Sequence, residues 1–204
     1  MTRPRFDLFL RPILEAHSTL ACTPVIRAVP LLAAAVVGLV VVDGRFVYDD
    51  SRLLFDNPIV NGEAPVWEAF IRDFWGRTSG EGFITWRPVM PIVWAQIWAL
   101  WPAEPLPFRV IGVAFHVLAT GMSMLFVRRL GQSEKLAAAV GALFALHPLN
   151  TEAVSAIAAQ ADLLSFALVL LACILALGPQ TLRQGSLAAL VFALAALVKE
   201  SAVI

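Results

Sequence analysis

Apolar positions along this chain come in long blocks rather than in the short alternation of strands. Such blocks cover 25–42, 108–127, 136–146, 163–177 and 187–204. They predict five membrane-spanning helices, each needing about 20 residues to cross a bilayer. The second block stops at Arg128-Arg129, the third at His147-Pro148 and the fourth at Gly178-Pro179, all signals that end helices. A further apolar stretch, 89–101, is short and holds Pro91, Trp94, Trp98 and Trp101. Its length and tryptophans fit a helix lying in, or dipping into, the membrane interface. Between the first span and this segment, Asn57-Pro58 and Asn61-Gly62 mark turns, and Trp67 to Gly76 reads as a short, aromatic, amphipathic helix. That helix would anchor the loop to the interface or form one wall of an acceptor groove. The pattern predicts an all-α integral membrane protein.

Composition agrees: 59% of residues are hydrophobic and the mean hydropathy is +0.79, against about 45–50% apolar residues in soluble domains. Zero net charge gives no argument for nucleic acid as a partner. Two cysteines, Cys22 and Cys173, make no disulfide framework. The first apolar run starts late and lacks a small-residue cleavage site, which argues against a removed signal peptide. With the amino terminus inside and five alternating spans, the inner segments hold eight basic and three acidic residues, a balance of +5, leaving −5 outside. A positive inner excess is what sets orientation. Residues 1–24 then form a cytoplasmic segment and 25–204 a transmembrane domain, with an outer loop at 43–107 and a shorter one at 147–162. The last apolar run stops without a polar flank, so the chain reads as the amino-terminal piece of a longer protein or as a truncated product.

Ionisable residues in so apolar a chain are costly, about 2.5–3.5 kcal/mol each at a span centre, and so mark polar cavities or membrane faces. Asp49 and Asp50 follow the first span. Adjacent carboxylates there suit a general base and a partner that tunes it, or a metal site, although taken alone a solvated loop start is the more ordinary reading. Arg87 opens the interfacial segment and has the fork geometry that grips phosphate. His147, Glu152 and Asp162 fall where spans three and four surface, and Lys199-Glu200 stands near the outer end of span five. The Lys-Glu pair reads either as a structural ion pair or as a cavity-facing site. His116, inside the second span, suits a helix-packing hydrogen bond. No zinc-binding spacing, Walker loop, dinucleotide fingerprint or nucleophile elbow is present.

Taken in order, Tyr48-Asp49-Asp50, Asn57-Pro58-Ile59-Val60, Asp73-Phe74-Trp75-Gly76, Trp86-Arg87-Pro88, His147-Pro148 with Thr151-Glu152-Ala153-Val154, Ala161-Asp162-Leu163-Leu164 and Lys199-Glu200-Ser201 form a series. It resembles the amino-terminal membrane half of the transmembrane, tetratricopeptide-repeat O-mannosyltransferases and their bacterial relatives, over about residues 40–204. The resemblance implies the GT-C glycosyltransferase fold, here an incomplete multi-span helix bundle. It implies a polyprenyl-phosphate-sugar donor, mannose as the sugar transferred, and a protein Ser/Thr acceptor. By this likeness Asp49 and Asp50 are the catalytic acids, Arg87, His147 and Lys199 surround the donor phosphate, and Glu152, Asp162 and Glu200 support them. No metal ligand is implied, and the need for a divalent metal stays open. One departure is Gln160, where the family commonly has arginine.

The leading expectation is therefore a multi-pass membrane glycosyltransferase with its active face outward, in the inner membrane if the source is bacterial. Its partners would be the lipid-linked donor, a protein acceptor and the bilayer. The alternative is a non-catalytic truncated paralogue or assembly component, which Gln160 favours. A transporter ranks below both, because its ionisable groups would lie deep within several spans.

Overall fold

The structure, a computed structural model, describes residues 23–40, 42–78, 85–179 and 181–203. Most of the proposed 1–24 segment, with Cys22, lies outside them. Among the described residues the α-helices are α1 (Thr23–Leu39), α2 (Asp49–Leu54), α3 (Val89–Leu100), α4 (Pro105–Arg129), α5 (Glu134–Leu146), α6 (Pro148–Ser155), α7 (Gln160–Ala176) and α8 (Leu182–Val198). Short 3-10 turns occupy Val66–Phe70, Ile157–Ala159 and Glu200–Val203, and no strand occurs among the described residues. The all-helical expectation holds.

Local chemistry explains the boundaries. α4 starts with a proline at its first position and stops where Gly131, at φ +78°, takes the left-handed turn after Leu130. There the Gly131 and Gln132 amides return to the Arg128 and Val127 carbonyls at 3.0 and 3.3 Å, satisfying helix-end acceptors. The Ser133 hydroxyl caps α5 by accepting from the Leu136 amide, and Thr181 caps α8 through Gln184.

α4 is the axis of the bundle, with α1 and α5 packed on one side and α7, backed by α8, on another. A Cβ on Gly38 would stand 2.5 Å from Val113, so glycine there lets α1 approach α4 closely. Two ends follow from the contacts. Arg27 of α1, Arg128 of α4 and Glu134 of α5 meet at one, the basic end. At the other, the loop end, the 42–78 segment, α2, α3 and α6 gather around Leu53, Phe74, Trp94, Phe108, Ile157 and Val198.

Two stretches, Pro105–Arg129 and Ile157–Ala176, are long and apolar enough to cross a membrane. At about 1.5 Å per residue, the 25 residues of α4 reach past a hydrocarbon core of about 30 Å. The remaining blocks form shorter helices of 17, 13 and 17 residues in α1, α5 and α8. Exposed Leu32, Val36, Leu39, Leu187, Leu190 and Leu194 line the outer faces of α1 and α8. α3 has only 12 residues, too few for a crossing.

Two expectations need correction. Trp67 to Gly76 is not one amphipathic helix: the 3-10 turn ends at Phe70, and Asp73 then folds the chain into a turn by accepting from the Trp75 and Arg77 amides, both at 2.9 Å. Gly76, at φ +80°, completes it, and a Cβ there would also collide with Asn57. The second concerns the fifth apolar block. Helix α8 ends at Val198, and Lys199 is extended at φ −157°, so Lys199 and Glu200 follow the helix rather than lie inside it.

Candidate functional site

Asp49 and Asp50 begin α2 and have opposite surroundings. Asp49 is exposed, whereas Asp50 is 2% exposed. The Asp50 carboxylate accepts from the Val47 amide at 3.0 Å, and the Asp50 amide donates to the Val47 carbonyl at 3.1 Å. This reciprocal pair pins a tight corner in which Tyr48 sits at φ +52°, a conformation few non-glycine residues adopt. Burial pushes the Asp50 carboxyl above its ordinary range, against the opposing pull of the Val47 and Ile157 amides and the Arg109 charge. The two acids are thus not equivalent: one is held and shielded, the other faces solvent.

Arg109, near the start of α4, organises this corner. It is 3% exposed, and its guanidinium donates to the carbonyls of Gly44 at 2.9 Å, Ser155 at 2.8 Å and Arg45. The first and third lie in the irregular approach to Tyr48-Asp49-Asp50, the second at the end of α6. A Cβ on Gly44 would stand 2.7 Å from the guanidinium carbon, so the backbone can come this close only at glycine.

Two ion pairs close the other part of this end. Arg87 holds Glu200 through Nε at 2.7 Å and through its second terminal nitrogen, in a fork, while its guanidinium lies 5.0 Å from the Phe74 ring centroid. The bond to Arg87 pulls the Glu200 carboxyl down to about 2. Lys199 pairs with Asp162 rather than with its neighbour Glu200. Beside Asp162 opens a cavity of about 440 Å³, lined by Phe144, Asn150, Phe166 and Ser201. His147 turns the corner between α5 and α6, where its Nδ1 accepts from the Leu149 amide at 3.3 Å. Glu152 is exposed on α6. Hence Asp162, Lys199, Glu200 and Arg87 form two linked pairs, whereas neither His147 nor Glu152 lines the cavity beside them or joins those pairs.

Gln160 is fully buried. It donates to the Phe108 carbonyl at 2.7 Å and accepts weakly from the Trp94 indole at 3.4 Å. Asn57 is equally buried and ties two segments together, donating to the Phe74 carbonyl and accepting from the Ile59 amide, both at 3.1 Å. Among the described residues, no three His, Cys, Asp or Glu side chains converge as a metal site.

No family model and no solved structure matches the chain. Its sequence is 36% identical over 129 residues, 59% of the chain, to the protein O-mannosyl-transferase F38B6.6 of Caenorhabditis elegans, covering 18% of that protein. It is 35% identical over 141 residues, 68% of the chain, to the protein O-mannosyl-transferase Tmtc1 of Drosophila melanogaster, covering 16% of it. The human protein O-mannosyl-transferase TMTC1 is 34% identical over 133 residues, 63% of the chain and 15% of its own length. The chain belongs to this O-mannosyl-transferase family. It spans less than a fifth of the length of these three relatives.

Several of the family-like motifs prove to be scaffold at this end. Asn57 and Asp73 shape the loop, and Trp86 donates its indole N–H to the Phe70 carbonyl at 3.1 Å. Arg109 is the residue that motif reading passed over. It does not stand inside one of the polar motifs; its only signal was an arginine within the otherwise apolar start of the second span, where an unpartnered charge is costly.

Proposed function

We propose that the chain carries the reactive face of a membrane glycosyltransferase with a GT-C-like, multi-span bundle. It moves mannose from a polyprenyl-phosphate donor to a Ser or Thr hydroxyl of a protein, on the outer side of the membrane. The loop end is the outer end in this reading, and the basic end faces the cytoplasm. The observation that carries it is the placement of an exposed acid, Asp49, on a corner anchored by Asp50 and Arg109, at the same end as Arg87 and Lys199. The family relatives, named protein O-mannosyl-transferases, support the class of reaction.

In the reaction, the acceptor oxygen bonds to the anomeric carbon of the sugar while the bond from that carbon to the donor phosphate breaks. Asp49 takes the hydroxyl proton, and Asp50 fixes its backbone without reaching the substrate itself. Arg87 and Lys199 receive the departing phosphate, exchanging Glu200 and Asp162 for it. The cavity beside Asp162 gives the donor room.

The competing reading is a non-catalytic membrane component. It is favoured by two features: both cations are already held by carboxylates, and a neutral, fully buried Gln160 stands where the resemblance implies an arginine. Mannosyl transfer to an acceptor peptide, measured with the chain in proteoliposomes, separates the two. Asp49→Asn is expected to lower turnover by about 10²–10⁴-fold, the usual worth of a general base. Equal turnover in wild type and Asp49→Asn would remove that residue from the mechanism.

A further inference from the structure

At the basic end, α1, α4 and α5 leave a second cavity between them, about 450 Å³ in volume. Its rim carries Arg27, Arg128, Arg129 and Glu134, and its floor includes Leu31 and Gly121. Three guanidinium groups face one carboxylate, so the rim keeps two positive charges. Glu134 is shared: Arg27 grips it from α1 and Arg128 touches it at 2.8 Å from α4. Both arginines remain exposed, and Arg129 is exposed beside them. A basic rim over an apolar floor, beside a helix long and apolar enough to cross a membrane, has the two-part chemistry of one ligand class. The rim suits a phosphodiester, and the floor suits a hydrocarbon chain.

We propose that this cavity binds one anionic phospholipid, its phosphate among Arg27, Arg128 and Arg129 and one acyl chain against Leu31 and Gly121. Charge complementarity selects an anionic lipid over a zwitterionic one, and the apolar floor selects a lipid over a free anion. Glu134 competes with the phosphate for Arg27 and Arg128, which sets the affinity below what three arginines alone would give. The site lies at the end of the bundle away from Asp49 and does not depend on the transferase reading.

The test is lipid retention by the purified chain. It is reconstituted in nanodiscs of phosphatidylcholine with graded phosphatidylglycerol, re-extracted, and weighed by native mass spectrometry. Wild type is expected to retain one phosphatidylglycerol in preference to phosphatidylcholine. Arg128→Ala with Arg129→Ala should lower that retention about tenfold, whereas Arg183→Ala, a basic residue near the same end that does not line the cavity, should not. Two variants move retention without removing positive charge. Glu134→Gln should increase it several-fold, because it frees two arginines; a mere loss of helix packing would lower it. Gly121→Leu should decrease it, because its added side chain extends into the floor, where even a Cβ meets Leu31 at 3.6 Å. Equal retention of both lipids, or lowered retention in Glu134→Gln, overturns the proposal. So does a thermal stabilisation by millimolar inorganic phosphate equal to that by phosphatidylglycerol, since it would make the cavity a soluble-anion site.

Discussion

The two ends of this bundle both carry arginines and acids, but they use them differently. At the loop end, Arg109 and Asp50 are withdrawn from solvent and bonded to backbone groups. At the basic end, Arg27, Arg128 and Glu134 make side-chain pairs in which the arginines stay largely exposed. A buried charge bonded to carbonyls from two segments fixes how those segments meet, because breaking it strands several desolvated groups at once. An exposed pair is screened and replaceable. The difference teaches where geometry is specified: at the end that holds Asp49 and the two linked ion pairs.

The contrast breaks most easily at Arg109. Arg109→Ala leaves three carbonyls without their donor and is expected to cost about 3 kcal/mol or more. Arg128→Ala should cost no more than about 1 kcal/mol. Denaturant unfolding in detergent micelles compares them, and equal costs would erase the distinction.

Gln160 comes next. Replacing it with arginine, the residue the resemblance implies there, adds volume and charge at a fully buried position, where Gly112 is already so close that a Cβ would stand 2.7 Å from the Gln160 amide nitrogen. Gln160→Arg is therefore expected to lower stability by about 1–3 kcal/mol and to leave donor binding unimproved. A tighter donor affinity in this variant would show that position 160 reaches the donor after all.

Asp50 sharpens the comparison through pH. Because burial raises its proton affinity in the fold, Asp50 stabilises the folded state most when protonated. That contribution is present below the ordinary carboxylate range and is lost as pH rises through the raised value. Asp50→Asn should flatten this part of the stability-pH profile, whereas Asp50→Ala, which orphans the Val47 amide, should cost about 1–3 kcal/mol at all pH values. An unchanged profile in Asp50→Asn would contradict the buried assignment.

The smallest effect belongs to Glu200. Its carboxyl is lowered from 4.5 to about 2, so its pair with Arg87 is intact above the ordinary value and is lost as pH falls between the two. Since Glu200 is half exposed, Glu200→Gln should change stability by less than about 1 kcal/mol at pH 7. Acid titration of the Arg87 environment by nuclear magnetic resonance follows the transition.

Much of this was legible in the sequence. Apolar blocks located α1, α4, α5, α7 and α8, and the Arg128-Arg129 and Gly178-Pro179 stops marked real helix ends. His116 makes the helix-packing bond its position suggested, to the Ala145 carbonyl at 3.1 Å. What sequence could not supply was partner choice. Lys199 and Glu200 are neighbours in the chain, yet they turn to Asp162 and Arg87, because the extended backbone at Lys199 sends successive side chains apart. Likewise, Asp49 and Asp50 look interchangeable as a pair. Only the fold of the Val47–Asp50 corner buries one and exposes the other. Arg109 stayed hidden because its partners are carbonyls, which carry no residue identity.

The central claim is that the loop end, and not the basic end, receives a lipid-linked sugar phosphate. Affinity for polyprenyl-phosphate-mannose, measured in nanodiscs for wild type, Arg87→Ala and Arg183→Ala, tests it most directly. The account predicts a loss of about tenfold or more for Arg87→Ala, as expected when a charged hydrogen-bond fork is removed, and no loss for Arg183→Ala. Equal losses in the two variants would contradict it.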